Sequence, residues 1–440
     1  MKKLVLIVIT AFLYMNVYSR DDAWSKDATP LYRSEKALTD VIIHDIFSPP
    51  VASRIYAYAN ISAYEVLVKA DNKYRSLHGV LKDMPPVPEP RQKISASLAA
   101  VYAFMLTGKK LVFSEQILED SLQHILSYYK ANIKDNKLYT ASLAYGQQVS
   151  DTIMAWVAKD QYKETRKLRR YNLLKQEGKW IPTPPGYIAA VEPNWNKIRP
   201  LVMDSCNQFP PVPALAFSKE KGTPFYEQAY EVYTTVNQLT DEQRAKANFW
   251  DCNPFFLNTE GHLNFATKKI SPGGHWISIT GIVARQTNTD ITKASMALTL
   301  TSIALFDAFI SCWDEKYRSN LIRPETYINA YIDESWRPIL QTPPFPEYTS
   351  GHSVISTAVA TVLTKIFGDN VAFDDDTEVE FGLMVRHFNS FKAACDEAAV
   401  SRLYGGIHYR AAVENGQKEG GQIGNYIIEK VISKILTTNN

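Results

Sequence analysis

The sequence predicts an all-α protein, and three observations carry that prediction. Apolar residues recur at helical spacing along most of the chain, no alternation of strand type persists, and proline or glycine interrupts the apolar segments at intervals that suit helices. With 440 residues, 45% hydrophobic and 21% charged, the chain can bury a large core as one domain or as two closely packed halves. Its 48 basic and 46 acidic residues give a net charge of +2 without any block of like charge, so nothing points to nucleic acid.

Met1-Lys2-Lys3, the apolar run Leu4 to Tyr14, and the small residues Val17 and Ser19 form an export signal, cut near Ser19. The mature chain is therefore expected in the periplasm or outside the cell. Helices are predicted over Leu38 to Ile46 and Val51 to Ala70, the second entered through Ser48-Pro49-Pro50. Arg91 to Leu106, Ser114 to Ala131 and Leu138 to Ala158 follow. Lys159 to Phe217, rich in proline, tryptophan and tyrosine, reads as a long ordered loop that walls a site or connects two halves. This divides the chain into a leader (1–19), an N-terminal helical half (20–217) and a C-terminal helical half (218–440) that carries the chemistry.

In the second half, Pro224 to Asn237 and Thr240 to Trp250 are helices, the latter opened by a Thr240/Gln243 capping box. Ser271 to His275 is a turn into Trp276 to Asn288, with His275 expected to cap that helix. Ile291 to Trp313 is apolar enough to resemble a membrane span. No other interior run does, so a central buried helix is predicted and no transmembrane bundle. Ser353 to Phe367, Glu378 to Leu403 and Ala412 to Ile435 complete the helices. Asp374-Asp375-Asp376-Thr377 with Glu380 lacks calcium-loop spacing and reads as acids at a helix start.

The chain has four cysteines: Cys206, Cys252, Cys312 and Cys395. In an exported protein one disulfide is permitted, and Cys206–Cys252 is the expected pair because both lie in loop-like sequence. Cys312 and Cys395 fall in apolar helical patterns and are expected as buried thiols. Neither Cys-x-x-Cys nor His-Glu-x-x-His occurs, so motif spacing supports neither zinc nor haem.

Three clusters carry chemistry. Lys316 is followed after six residues by Arg323-Pro324; Ser350-Gly351-His352 opens an apolar helix; Ser401-Arg402 is followed after five residues by His408. Together they supply three cations, a hydroxyl, a glycine N–H at a helix start and two histidines. A tetrahedral oxyanion needs such a set: guanidinium forks and an ammonium neutralise charge, and a helix N-terminus adds unpaired N–H groups. One histidine can bond to the central atom while the other moves a proton.

These three clusters, in this order and spacing, resemble the signature of the superfamily of vanadium-dependent haloperoxidases and type 2 phosphatidic acid phosphatases. The resemblance implies a helix-bundle fold and a site in which His408 bonds vanadium, or attacks phosphorus to form a phosphohistidine. His352 would be the acid–base, and Lys316, Arg323, Arg402, Ser350 and Gly351 would hold the equatorial oxygens. Trp313 and Phe345, within Pro343-Pro344-Phe345-Pro346, match aromatics that line the halide pocket of the soluble chloroperoxidase branch. The implied activity is halide oxidation by hydrogen peroxide with vanadate as cofactor. The alternative is acid phosphatase action on phosphate monoesters, with phosphate in vanadate's place. Two positions depart from the family pattern. Thr349 replaces the proline usual before Ser-Gly-His, a change expected to loosen the loop. Ala412 stands where many relatives carry an aspartate that orients the metal-bonding histidine, so Glu414 or a backbone carbonyl is expected to orient His408.

Overall fold

The computed structural model describes residues 26–260 and 263–436, so the predicted leader lies outside the described residues. Helix α1 (Thr29–His44) starts earlier than the apolar periodicity indicates, because Pro30 suits a first helical turn. Helix α2 (Pro49–Leu67) is buried along its whole length and packs on α3 (Ala96–Lys109). Helices α4 (Glu115–Asn132) and α5 (Asn136–Val157) bury one stripe each. A Cβ at Gly146 of α5 would stand 2.6 Å from the Ala99 carbonyl, so glycine is what lets α5 approach α3 so closely.

The residues from 159 to 217 form the long loop, containing only a short turn at Tyr162–Thr165 and another at Trp195–Lys197. It is fastened to the molecule's centre by a carboxylate. Asp307, buried on the central helix, accepts the backbone N–H groups of Leu201, Val202 and Met203 at 2.7, 2.8 and 2.8 Å. Around residues 201–203 the segment is therefore packed structure, with these backbone donors satisfied by the core.

Helices α6 (Pro224–Asn237) and α7 (Asp241–Phe249) follow, and α7 has the Thr240/Gln243 capping box. A hairpin of β1 (Leu257–Glu260) and β2 (Leu263–Ala266), not foreseen, leads to α8 (Pro272–Gln286). Its cap is Ser271, whose hydroxyl accepts from Gly274 N; His275 sits buried inside the first turn, which corrects the expected capping role. Helix α9 (Ile291–Ser319) is long and apolar enough to cross a membrane, but its apolar window is wholly buried inside the protein against α2.

Helix α10 (Pro324–Tyr331) precedes the site loop, and α11 (Gly351–Phe367) leaves it. The acidic run does not start a helix. Phe373–Asp375 (β3) pairs antiparallel with Arg386–Phe388 (β4), and only from Phe391 does the chain become α12 (Phe391–Tyr404). Phe373 and Phe388 face each other across the ribbon with ring centres 5.6 Å apart, and this buried pairing prevails over the charge that favours a helix start. Helix α13 (Arg410–Ile427) carries Gly416, Gly420 and Gly424 at four-residue spacing toward α11. A side chain at Gly424 would stand 2.8 Å from the Ala358 carbonyl, and one at Gly416 would stand 3.1 Å from that of Ser350. This stripe seats α11, and with it the Ser350-Gly351-His352 start, against α13.

All four cysteines are free, so the expected Cys206–Cys252 disulfide does not form. Cys206 Sγ lies 3.5 Å from Asp314 Oδ1, whereas Cys252 is buried beside His275 and Glu378.

Candidate active site

Each predicted oxyanion-binding residue stands at or beside the end of a helix, which is why their sequence spacing is fixed; Phe345 lies in the loop before α11 and Trp313 inside α9. Lys316 lies in the last turn of α9, Arg323 caps α10, Ser350 caps α11, Arg402 ends α12, and His408 sits in the turn before α13. Ser350 Oγ accepts from Ser353 N at 3.3 Å, and Ser350 N donates to the Ala412 carbonyl at 3.1 Å, fixing the helix start on α13. His352, Gly351, Arg402 and His408 line one cleft, together with Trp313 and Phe345. The two aromatic rings meet with centroids 4.9 Å apart.

His408 is held on both sides. Arg323 Nη1 donates to its Nε2 at 3.2 Å, and its Nδ1 lies 2.8 Å from Glu347 Oε1. A carboxylate acceptor at Nδ1 keeps the proton there and puts the lone pair on Nε2, where it accepts from Arg323 and can turn to an electrophile that displaces that bond. Glu347 is thus the orienting group, which overturns the expectation of Glu414 or a backbone carbonyl. Glu414 is exposed, and its nearest ion partner is Arg410 at 3.9 Å. Glu347 Oε1 also accepts from Tyr409 N at 2.9 Å. Burial pushes the Glu347 carboxyl up to about 7, against the pull of Arg323 and Lys316. The sequence did hold a signal: Glu347 is the only acid in the proline-rich stretch from Gln341 to Ser350.

The cations divide their work. Lys316 spends its three protons on the loop, donating to the carbonyls of Pro346, Glu347 and Thr349 at 3.2, 3.0 and 2.5 Å. Its ammonium also stands 5.2 Å from the Phe345 ring centre. Arg323 Nε and Nη1 hold the carbonyls of Phe345 and Ile407, each at 2.9 Å, while Nη2 is buried without a partner. Arg402 donates through Nε to Ser401 Oγ and through Nη2 to the Ala247 carbonyl. Thr349 does not leave the loop slack, because its hydroxyl donates to Glu419 Oε2 at 2.8 Å.

Burial lowers the Lys316 ammonium to about 8 and the Arg323 guanidinium to about 10. Burial, with the neighbouring cations, also holds both histidines well below their usual range: Arg323 and Lys316 act on His408, and Arg402 acts on His352. Both rings are therefore neutral near pH 7 and able to act as lone-pair donors. His352 rests against the Trp250 carbonyl, and its Nε2 has no partner. Unpartnered buried donors and acceptors are costly unless something fills the space between them. Arg323 Nη2 and His352 Nε2 are such atoms, and the lone pair of His408 Nε2 faces the same cationic neighbourhood. The residues present therefore fit a tetrahedral oxyanion such as vanadate.

A family model, the VCPO second helical-bundle domain, matches residues 296–436, the stretch that contains these clusters. The crystal structure described as the first bacterial vanadium-dependent iodoperoxidase is 49% identical. It covers 94% of this chain and 98% of its own, with a TM-score of 0.89. The chain belongs to the vanadium-dependent haloperoxidase family. The holo and apo crystal structures of a bacterial vanadium-dependent chloroperoxidase share the fold. They are 17% and 16% identical, with TM-scores of 0.67 and 0.68; each covers 88% of this chain and over nine-tenths of its own. No curated protein matches the chain.

Proposed function

We propose that this haloperoxidase oxidises iodide with hydrogen peroxide at a vanadate bonded to His408, outside the cytoplasm. The observation that carries the reading is the Glu347–His408–Arg323 chain, which presents the Nε2 lone pair among cations. The iodide preference rests on the 49% identity to a bacterial iodoperoxidase, and the export rests on the N-terminal leader. Bound vanadate would supply a Lewis acid that activates hydrogen peroxide toward halide without changing oxidation state.

The chain's own residues do the remainder. Arg323 Nη2, Arg402, the Ser350 hydroxyl and the Gly351 N–H supply donors to the oxyanion oxygens, each charge-assisted bond being worth about 1.5–3 kcal/mol. Lys316 contributes charge and holds the Pro346–Thr349 backbone that carries Glu347. His352, neutral and unpartnered at Nε2, takes a proton from incoming peroxide and returns it to the leaving oxygen. Trp313 and Phe345 form the apolar wall along which a large, weakly hydrated halide approaches.

The test uses the chain without its leader, stripped of bound oxyanion. Iodide, bromide and chloride oxidation by hydrogen peroxide is followed with and without orthovanadate, beside hydrolysis of p-nitrophenyl phosphate. The expected result is halide oxidation only with vanadate, fastest for iodide. Ester hydrolysis that vanadate inhibits, without halide oxidation, would overturn it.

A further inference from the structure

A second convergence of side chains adjoins the oxyanion pocket and is used by none of the chemistry above. Cys252 Sγ, His275 Nδ1 and Glu378 Oε1 approach one another from three separate segments: the turn after α7, the first turn of α8, and the β3–β4 connection. Their separations are 3.4 Å from sulfur to nitrogen, 3.7 Å from sulfur to oxygen and 3.1 Å from nitrogen to oxygen. All three residues are buried, His275 completely so.

These distances bracket those of a coordination triangle. With bonds of about 2.3 Å to sulfur and about 2.0–2.1 Å to nitrogen and oxygen, tetrahedral ligands of one zinc ion stand roughly 3.3–3.6 Å apart. The other ring nitrogen strengthens the case. His275 Nε2 lies 2.7 Å from Asp375 Oδ2, and Asp375 Oδ1 is itself fixed by Thr377 N at 3.0 Å. A carboxylate behind a histidine is the usual device that keeps the proton away from a metal-ligating nitrogen. The donor set, one thiol, one imidazole and one carboxylate, suits a borderline-soft divalent ion.

We propose that Cys252, His275 and Glu378 bind one zinc ion, with Asp375 orienting His275 and a water completing the tetrahedron. On binding, the Cys252 thiol and His275 Nδ1 release their protons to solvent, His275 keeping the one on Nε2 toward Asp375, and sulfur, nitrogen and oxygen each donate a lone pair to the ion. Cys252 also lines the oxyanion cleft, which supplies a route in for the metal. The ligands are separated by 23 and 103 residues in sequence, so no compact motif announces them. The site braces the active site as well. Trp250 stacks on His275 with ring centres 4.6 Å apart, and the Trp250 carbonyl is the group against which His352 rests. The proposal does not depend on the vanadate reading, because zinc content is measured without any turnover.

The experiment uses the full mature chain. Metal content is determined after dialysis, the ion is then removed with a chelator, and zinc and cobalt(II) are titrated back. One zinc per chain is expected, and the cobalt form should show the near-ultraviolet charge-transfer absorption of a thiolate ligand. Cys252→Ser should abolish that band, Glu378→Gln should remove most of the zinc, and Asp375→Asn should weaken binding about 10–100-fold. His408→Ala should keep its zinc. Circular dichroism identifies any variant that fails to fold; Asp375→Asn, which retains all three ligands, then carries the test. A folded parent chain that neither retains zinc nor gives the cobalt band would overturn the proposal. So would zinc retained in full by both Cys252→Ser and Glu378→Gln.

Discussion

The oxyanion pocket gathers Lys316, Arg323 and Arg402 around His408, whereas the neighbouring cluster gathers Asp375, Glu378 and Cys252 around His275. In both, a buried histidine has a carboxylate on one ring nitrogen: Glu347 at 2.8 Å in the first and Asp375 at 2.7 Å in the second. What differs is the charge facing the other nitrogen. Surrounding cations leave His408 neutral, with its lone pair available to the electron-poor centre of an oxyanion whose oxygens those cations hold. Surrounding acids push His275 well above its usual value unless a cation takes the proton's place. The same side chain with the same kind of orienting partner is thus directed to opposite ligands by its environment. His352 lies between the two regions, with Arg402 acting on it from the pocket and the Trp250 carbonyl on the side of the cluster.

The strongest way to break this comparison is to delete the bonding nitrogen. His408→Ala should abolish vanadate-dependent halide oxidation, read as initial rate against added orthovanadate, while circular dichroism stays unchanged. Turnover near the parent rate would place the chemistry elsewhere. Arg402→Ala should follow, with a loss on the order of 10²–10³ in rate, the usual cost of a preorganised oxyanion donor. Its weaker vanadate binding should appear in the concentration needed for half-maximal activity.

The two regions also differ in how far the sequence discloses them. Lys316, Arg323, Ser350, Gly351, His352, Arg402 and His408 fall within 93 residues, each locked to a helix end, so linear spacing reports spatial arrangement. Glu347 was missed because an orienting acid was sought beyond His408, near Ala412. The structure instead reaches back to the loop before α11. The cluster was invisible for a related reason. Cys252 looked like a loop cysteine available for a disulfide, His275 like a helix cap, and Asp375 like one of a run of helix-start acids. Only tertiary packing brings them within bonding distance. Helical periodicity identified most helices correctly, and failed where short aromatic strands at 373–375 and 386–388 offered too few residues to show a period.

Lys316→Met tests whether the pocket's ammonium is structural. Its removal strands carbonyls of Pro346, Glu347 and Thr349 in a buried loop, each at a cost of about 1–3 kcal/mol if no water replaces it. Urea unfolding should show a loss of roughly 3 kcal/mol, with activity falling as well. An unchanged midpoint together with lost activity would instead make Lys316 a direct oxyanion donor. Glu347→Gln is milder. The amide can still face Nδ1 but no longer favours a proton there as strongly, so vanadate affinity should fall about 10–100-fold. Glu414→Gln, at the exposed residue first expected in that role, should leave affinity unchanged.

The smallest effect should come from the far side of His352. Asp375→Asn leaves every pocket residue in place and acts only through His275, the stacked Trp250 ring and its carbonyl. If that chain positions the acid–base, kcat should fall by less than about tenfold, under about 1.4 kcal/mol. KM for iodide should hold, because Trp313 and Phe345 are untouched. A matching fall in vanadate affinity would mean that the variant had disturbed the pocket itself and that the two regions are one unit. A kcat equal to the parent's, in a variant whose zinc binding is weakened, would mean that His352 is held by its own helix start and does not depend on the neighbouring cluster.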